Sequence, residues 1–183
     1  MLGVFLNFCI VAGAFTQYVA NGPCPKVIVE EPLDLERLSG LWIRYATSDF
    51  NSDSAQMCPQ QFWSLPNDEG VSRLVSTSIL SKTNKKLKTI TDVSLTNNNA
   101  LCFHHHVPIV GNIYREALYL GVDYDKYTVS WTCVNNGTTH IESIMIFTRE
   151  RNPTIDILKI AKEAYARYGL VMSHVIRDNQ DCF

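Results

Sequence analysis

The fold is decided around the stretch Ser39-Gly40-Leu41-Trp42, where the first of several β-rich runs begins. Seven further runs follow, each dense in Val, Ile, Thr, Tyr and Trp and bounded by turn residues such as Asn, Gly and Pro. The predicted strands are Leu41–Thr47, Gln61–Leu65, Val71–Leu80, Lys86–Ser94, Leu101–Val107, Arg115–Val122, Tyr127–Val134 and Ile141–Arg149. Their hairpin-like spacing predicts an all-β domain.

The hydrophobic period changes after the eighth run. From Thr154 to Tyr168 apolar residues recur at helical spacing, Asn152-Pro153 offers a cap and a first-turn residue, and Gly169 suits the position after the helix. We therefore predict an eight-stranded antiparallel up-and-down β-barrel with one C-terminal α-helix packed outside. Closure removes the edge strands, and the outer wall can bury the apolar stripe of the helix. A β-sandwich is the competing architecture.

Length and composition exclude several classes of protein. The chain has 183 residues, which suits one domain, and 46% of them are hydrophobic, so wholesale disorder is not expected. Its 16 Lys and Arg against 18 Asp and Glu give a net charge of −2, which provides no basic footprint for nucleic acid.

The N-terminal residues 1–20 carry no charge and have an apolar centre closed by small residues. This pattern predicts a secretory signal peptide cleaved near Ala20, which leaves residues 21–183 as the mature domain. A buried N-terminal helix is the alternative. No later stretch reaches the length of a membrane span.

Removal of the predicted signal removes Cys9 and leaves five of the six cysteines, of which four can pair in an oxidising compartment. Four cysteines allow three connectivities, and the sequence does not choose among them. No Cys-x-x-Cys pair is present, so we predict no metal site. The sequon Asn136-Gly137-Thr138 predicts glycosylation of Asn136 in a surface turn.

Three motifs in register resemble those of the lipocalin family. They are Gly40-Leu41-Trp42 before the first strand, Val122-Asp123-Tyr124-Asp125-Lys126-Tyr127 as the turn motif with Val122 in place of Thr, and Thr148-Arg149-Glu150-Arg151-Asn152-Pro153 before the helix. The Cys24-Pro25 opening and the Asp178-Asn179-Gln180-Asp181-Cys182 ending are similar to the branch that contains apolipoprotein D, insect bilin-binding proteins and insecticyanins.

The resemblance implies structural roles for several residues. Gly40 and Trp42 would form the barrel floor, with Asp123, Tyr124 and Tyr127 in the neighbouring turn. Either Arg149 or Arg151 would stack on Trp42; we expect Arg149, because it follows its strand without a gap. The same resemblance implies the disulfides Cys24–Cys133 and Cys58–Cys182 and leaves Cys102 as a free thiol.

Strand alternation from Trp42 predicts that Arg44 and Ala46 point into the barrel. If Cys133 faces outward, Thr132 and Ser130 on the same strand point inward and are predicted to line a cavity. Residues on neighbouring strands are predicted to line it too: Ala117, Tyr119 and Met145. A charge facing a low-dielectric cup needs a partner. For Arg44 that partner is either the carboxylate of a ligand or an internal Asp or Glu.

The stretch Leu101-Cys102-Phe103-His104-His105-His106-Val107 allows two orientations. If Cys102, His104 and His106 face inward, the two histidines become ligand-binding residues. If they face solvent, Leu101, Phe103 and Val107 point into the barrel instead.

We predict a secreted carrier or storage protein that binds one small hydrophobic ligand. The resemblance and Arg44 favour a bilin such as biliverdin or a fatty-acid-like lipid, with no cofactor required. The alternatives are a haem- or amine-binding protein using His104 or His106, and a structural or interaction protein with a filled barrel. Neither Gly-x-Ser-x-Gly nor His-Glu-x-x-His occurs, so we do not expect an enzyme. The sequence leaves the oligomeric state open.

Overall fold

A computed structural model describes residues 18–48, 56–107, 109 and 111–182. It contains ten strands and two helices in these described ranges. The strands are β1 Tyr18–Asn21, β2 Gly40–Thr47, β3 Gln56–Trp63, β4 Val71–Leu80, β5 Lys86–Leu95, β6 Leu101–Val107, β7 Gly111–Asp123, β8 Tyr127–Asn136, β9 Thr139–Thr148 and β10 Ile176–Arg177. The helices are α1 Leu35–Leu38 and α2 Ile157–Arg167.

Strands β2 to β9 form the predicted antiparallel barrel. Each pairs with its neighbour in sequence, and β9 pairs back onto β2 to close the wall. Two strands that the sequence did not predict extend this sheet, since β1 pairs with β9 and β10 pairs with β2. The eight-stranded barrel with one C-terminal helix outside is therefore confirmed.

The predicted starts of β3 and α2 are wrong. Strand β3 begins five residues earlier than predicted, at Gln56, because an irregularity between Met57 and Gln60 accommodates Pro59. Helix α2 is capped by Asp156, whose carboxylate accepts the backbone N–H of Lys159, and not by Asn152.

The end of α2 follows the prediction. Gly169 adopts a φ of +70°, and the backbone N–H of Leu170 reaches the carbonyl of Tyr165 across it.

Strand alternation separates two apolar clusters. Outward-facing side chains of β7 to β9, such as Trp131 and Ile144, pack under Ile157, Ala161 and Tyr165 of α2. Inward-facing side chains, including Trp42, Trp63 and Phe147, fill the lower half of the barrel. The inner cluster leaves the upper half of the barrel as the place for a ligand.

The two predicted disulfides are confirmed. Cys24 is bonded to Cys133 and Cys58 to Cys182, and Cys102 is a free cysteine. The second disulfide holds the C-terminal tail against β3, where the N–H of Cys58 also donates to the carbonyl of Asn179 at 2.8 Å.

The predicted signal peptide lies almost wholly outside the described residues and stays a prediction. Cleavage after Ala20 would leave only Asn21 of β1 in the mature chain. In the described ranges, no helix combines the length and apolar character needed to cross a membrane.

Candidate functional site: the barrel cup and its floor

Trp42 closes one end of the barrel. Its side chain is 2% exposed, and the indole Nε1 donates a hydrogen bond of 2.7 Å to the carbonyl of Leu38 in α1. A buried indole needs such an acceptor, and α1 lies across the barrel end to provide it. Leu35 and Leu38 of α1 are buried against the same cluster.

Arg149 covers this indole from outside. Its guanidinium carbon lies 3.7 Å from the centroid of the Trp42 ring. The same group donates hydrogen bonds of 2.8 to 3.1 Å to four backbone carbonyls, those of Leu41, Ser39, Arg37 and Tyr124. Burial lowers the pKa of Arg149, yet a guanidinium remains charged at any physiological pH.

Arg151, the alternative to Arg149, contacts Gln180 and Cys182 of the tail instead. The expectation that Arg149 stacks on Trp42 is therefore confirmed.

Gly40 is required at the floor for two reasons. Its φ of +95° is a conformation that L side chains rarely adopt, and a Cβ there would lie 3.3 Å from Nη1 of Arg149. A larger residue would therefore strain the backbone and press on the guanidinium that seals the floor.

The turn between β7 and β8 fixes the other side of the floor. Asp123 accepts hydrogen bonds from the N–H of Asp125 and from Nζ of Lys126. The hydroxyl of Tyr124 accepts the N–H of Asp34, which caps α1, and Arg37 lies over the Tyr124 ring at 4.2 Å. Tyr127 packs against the outer cluster. The turn therefore ties α1 to the barrel.

The lower half of the barrel is packed solid. Trp63 and Phe103 meet edge to face with centroids 6.1 Å apart. The gap bounded by Leu38, Trp42, Gln61, Trp63, Tyr119, Thr128 and Phe147 has no room for a water molecule. A ligand must therefore sit above this layer.

A cavity of about 160 Å³ lies above the packed layer. Four of its lining side chains are apolar, namely Pro59, Leu87, Met145 and Phe147. The other eight carry amide, hydroxyl or guanidinium groups: Arg44, Gln56, Gln60, Gln61, Ser76, Thr77, Ser78 and Thr89. This lining can bury an apolar surface and also hydrogen-bond a polar edge.

Arg44 faces this cavity, and its charge is neutralised within the chain. Its Nε and Nη2 each donate a 2.8 Å hydrogen bond to the carboxylate of Asp178. Asp178 follows β10, whose pairing with β2 brings the tail to this place in the wall. The internal partner of Arg44, one of the two possibilities raised by the sequence, is therefore the one observed.

His105 is a second titratable group on the inner face. It follows the inward-facing Phe103 by two residues, and its Nδ1 lies 3.1 Å from Oγ1 of Thr91. Burial lowers the pKa of His105, and the nearby charges of Arg115 and His104 lower it further. The imidazole is thus neutral at neutral pH.

This chain is similar to known proteins in its fold and not detectably in its sequence. No family model matches the sequence, and no curated protein does either. Lobster apocrustacyanin A1 superposes with a TM-score of 0.72 at 17% identity, covering 90% of this chain and 92% of that one. Insecticyanin from the tobacco hornworm Manduca sexta gives 0.76 at 12% identity, with 89% of each chain covered.

A third similar structure is the tryptamine complex of the amine binding protein of Rhodnius prolixus. It superposes with a TM-score of 0.66 at 14% identity, covering 85% of this chain and 86% of that one. The chain has the lipocalin fold.

Most of the predicted lining residues lie on the inner face of the lipocalin barrel. Ala117 and Tyr119 are buried in the inner cluster, and burial raises the pKa of Tyr119, which keeps the phenol neutral. Ser130 pairs with Met145 and donates to its carbonyl, and Thr132 alternates inward between Trp131 and Cys133. Contact between these residues and a ligand stays a prediction.

The predicted inward orientation of Ala46 is wrong. An irregularity at Tyr45 shifts the register of β2 against β9, so Ala46 lies opposite the outward-facing Ile146. Ala46 is fully buried in the cluster under α2. Simple alternation from Trp42 fails here because the irregularity inserts one residue.

The inward orientation of His104 and His106, one of the two that the sequence allows, is wrong, so their predicted role as ligand-binding residues inside the lipocalin barrel has no support. Leu101 and Phe103 occupy the inner face of β6, so the two histidines point outward. The His104 ring stacks on Tyr114 at 4.6 Å, and Nδ1 of His106 lies 3.0 Å from Oδ1 of Asn112. The orientation with Leu101 and Phe103 facing inward is therefore the correct one.

Cys102 shares the outer face with these histidines. Burial raises the pKa of the thiol, and Glu116 beside it raises it further, so the thiolate is scarce at neutral pH. Across the described ranges, no three His, Cys, Asp or Glu side chains come together as a metal site. Asn136 is exposed at the end of β8, and its glycosylation stays a prediction.

Sequence reasoning missed several residues of the cup. His105 and Thr91 could have been found by continuing the alternation from Phe103 and across to β5. Gln61 and Ser76 had no such signal, because the sequence of β3 and β4 does not show which residues face into the barrel and which face out. Asp178 could not be found, since only tertiary structure brings the tail to the barrel.

Proposed function

We propose that this protein is a secreted carrier that binds one small amphipathic molecule in the cup. The observation that carries the proposal is the cavity above the sealed floor, lined by both apolar and hydrogen-bonding side chains. Solved structures of the same fold include one in complex with tryptamine, which supports the use of such a cup for a small molecule.

A bilin-type ligand suits this lining better than a fatty acid. Gln61, Ser76 and Thr89 offer hydrogen bonds to the amide-like edges of a bilin, whereas an alkyl chain uses none of them. The charge of Arg44 is already matched by Asp178, which weakens the attraction for the carboxylate of either ligand and leaves the hydrogen-bonding lining to favour the bilin. Typical ligand sites measure about 300–1,000 Å³, so one end of the ligand occupies this cavity and the rest extends toward the open mouth.

The expected affinity follows from the buried surface. Burial of about 400 Å² of apolar ligand surface gains about 10 kcal/mol at ~25 cal/mol/Å². Association costs about 4 kcal/mol or more, which leaves a Kd of tens of micromolar before hydrogen bonds are counted. With those bonds, we expect a low-micromolar Kd.

A fluorescence titration tests this function, because Trp42 and Trp63 lie in the inner cluster beneath the cavity. We expect biliverdin to quench the tryptophans at a 1:1 ratio and to bind at least tenfold more tightly than palmitate. Ser76→Phe fills the cavity and should weaken binding at least tenfold. Lys86→Phe, which is exposed on the outer face of β5, is the matched control and should bind like the wild type. Equal binding by both variants would overturn the assignment of the site.

Secretion is part of the same proposal. Two disulfides suit an oxidising compartment, and the apolar, uncharged start of the chain suits a signal peptide. Expression in a eukaryotic secretion host should give a product in the medium whose N-terminal residue is Asn21. Retention inside the cell with Met1 in place would contradict secretion.

Haem is a second candidate ligand, supported by one observation. His105 presents a neutral imidazole on the inner face, and a neutral imidazole is the form that ligates iron. Addition of haemin should then give a sharp Soret band that His105→Ala removes and His104→Ala leaves in place. A Soret band unaffected by His105→Ala would rule out this site.

A further inference from the structure

Four apolar side chains form a continuous line across the outside of the barrel. Leu41 pairs with Phe62, Phe62 with Val75, and Val75 with Ile90, each on the next strand from β2 to β5. We call these four residues the outer row. Leu41, Phe62 and Ile90 are 44%, 55% and 55% exposed, so the row is open to solvent.

The outer row departs from the usual pattern of an antiparallel sheet, whose solvent face is polar. Helix α2 covers the wall formed by β7 and β8, and it makes no comparable cover over β2 to β5 among the described residues. Cross-strand contacts within the row stabilise the sheet, but they leave about half of Phe62 and Ile90 in water. An exposed apolar line of this kind marks a contact surface.

The charged residues on one side of the row are complementary to those on its other side, as a symmetric pairing of two copies would require. On β5, Lys88 lies two residues before Ile90 and Asp92 two residues after it, so both share its outward face on opposite sides of the row. On β4, Arg73 flanks Val75 on the side where Asp92 lies. A two-fold axis lying along the row would place the flank of one copy on the opposite flank of the other. Lys88 would then face Asp92 of the second copy, and Asp92 would face its Lys88.

The geometry of the strands fits the same axis. Paired residues in an antiparallel sheet lie directly opposite each other, so the outer row runs perpendicular to its strands. Rotation about such a line places each strand antiparallel over its own copy, which is the aligned packing of two sheets face to face. From the register, exposure and charge pattern, we infer that the outer row is the centre of a symmetric dimer interface between two copies of this chain.

The dimer should be weak. A barrel wall is convex across its strands, so Phe62 and Val75 make the closest contacts, and Leu41 and Ile90 at the ends of the row lie further from their copies. A stable interface buries about 800 Å² on each partner, and a few side chains supply only part of that area. We therefore expect a monomer–dimer equilibrium that depends on protein concentration in the micromolar range.

Sedimentation equilibrium on the purified protein tests the inference. Ile90→Arg should raise the dissociation constant of the dimer at least tenfold. Val171→Arg is the matched control, because Val171 is 85% exposed away from the row, and it should leave the constant unchanged. A wild type that stays monomeric at high micromolar concentration, or a dimer that Ile90→Arg does not weaken, overturns the proposal.

A charge exchange tests the direction of the two-fold axis. Lys88→Glu would set a carboxylate against Asp92 of the other copy and should weaken the dimer several-fold. Adding Asp92→Lys should restore association to within about twofold. The intrachain contact between Arg73 and Asp92 is exposed at 3.3 Å and contributes little. If the double variant remains as weak as Lys88→Glu, the proposed axis is wrong. Near-UV circular dichroism on each variant confirms that the barrel is folded.

Discussion

Arg44 on strand β2 and Asp178 in the C-terminal tail form a two-point ion pair at the wall of the cup, with both hydrogen bonds at 2.8 Å. The side chains are 18% and 7% exposed, so the pair lies largely out of water. Asp178 occupies the place that a ligand carboxylate would otherwise take beside Arg44. The chain thereby makes its own cup electrically neutral at this point.

Asp178→Asn should convert the cup to an anion binder. The variant leaves the Arg44 charge unmatched, and at an effective dielectric constant of about 20 a carboxylate about 4 Å away gains about 4 kcal/mol, part of which its own desolvation offsets. We expect palmitate to bind at least fivefold more tightly than to the wild type, and methyl palmitate to bind equally to both. Tryptophan quenching measures both affinities.

Asp181→Asn is the matched control for that experiment, because Asp181 is an exposed acid of the same tail. It should change neither affinity. If Asp178→Asn fails to distinguish palmitate from its methyl ester, Arg44 does not face the ligand.

Arg149→Lys should destabilise the floor. Lysine cannot stack on Trp42 or reach four carbonyls at once, since it lacks the planar fork of donors. We expect a loss of about 1–3 kcal/mol in the free energy of unfolding, measured by urea denaturation, because the partly buried carbonyls of Tyr124 and Ser39 lose their donors. Arg151→Lys, on exposed tail contacts, should cost less than about 1 kcal/mol. Equal losses for the two variants would contradict the assignment of the floor to Arg149.

His140 predicts a pH dependence of stability. Its Nδ1 lies 2.9 Å from the carbonyl of Gly22 and its Nε2 lies 3.0 Å from Oε1 of Glu142, so the doubly protonated ring satisfies both acceptors. The Gly22 carbonyl and then Glu142 raise the pKa of His140 above its ordinary value of 6.5, against the opposing effect of burial. Stability from this group is complete below pH 6.5 and is lost as the pH rises through the raised pKa. Urea midpoints of the wild type should fall over that window.

His140→Gln should flatten the alkaline side of this profile. His105 gives the opposite sign, because its pKa is lowered in the folded state: its contribution is complete above pH 6.5 and is lost as the pH falls through the lowered pKa. His105→Gln should therefore flatten only the acid side. A profile in which both variants change the same side would contradict these assignments.

Removal of the Cys58–Cys182 disulfide should loosen the tail as well as destabilise the fold. It closes a separation of 124 residues and Cys24–Cys133 one of 109. The chain-entropy model gives about 4–5 kcal/mol for each. Cys58→Ser/Cys182→Ser and Cys24→Ser/Cys133→Ser should lose similar stability in urea. Only the first should also tighten palmitate binding, because it frees the segment that carries Asp178. Identical palmitate affinities in the two variants would show that the tail stays in place without its disulfide.

The fold could be predicted from the sequence because local signals agreed with it. Turn residues bounded the strands, the period changed at α2, and Gly40 and Trp42 marked the floor. The boundary errors arose at Pro59, which interrupts the strand pattern inside β3, and at the start of α2, where Asn152 and Asp156 are equally good caps by residue type. Both positions depend on backbone geometry that composition does not encode.

The cup was predicted less well, and for physical reasons. Alternation placed Arg44 correctly, but one extra residue at Tyr45 reversed Ala46. The polar and apolar faces of β6 are nearly balanced in the sequence, so only packing against Trp63 decides that Phe103 and His105 turn inward. Asp178 is 134 residues from Arg44, and no local pattern connects them.

Native mass spectrometry of the protein purified from its own source tests the central claim most directly, which is that the cup holds one small molecule. The account predicts one adduct per chain, released on denaturation and absent from Ser76→Phe. A bare polypeptide mass from that source, unchanged after incubation with biliverdin, palmitate or haemin, would contradict it.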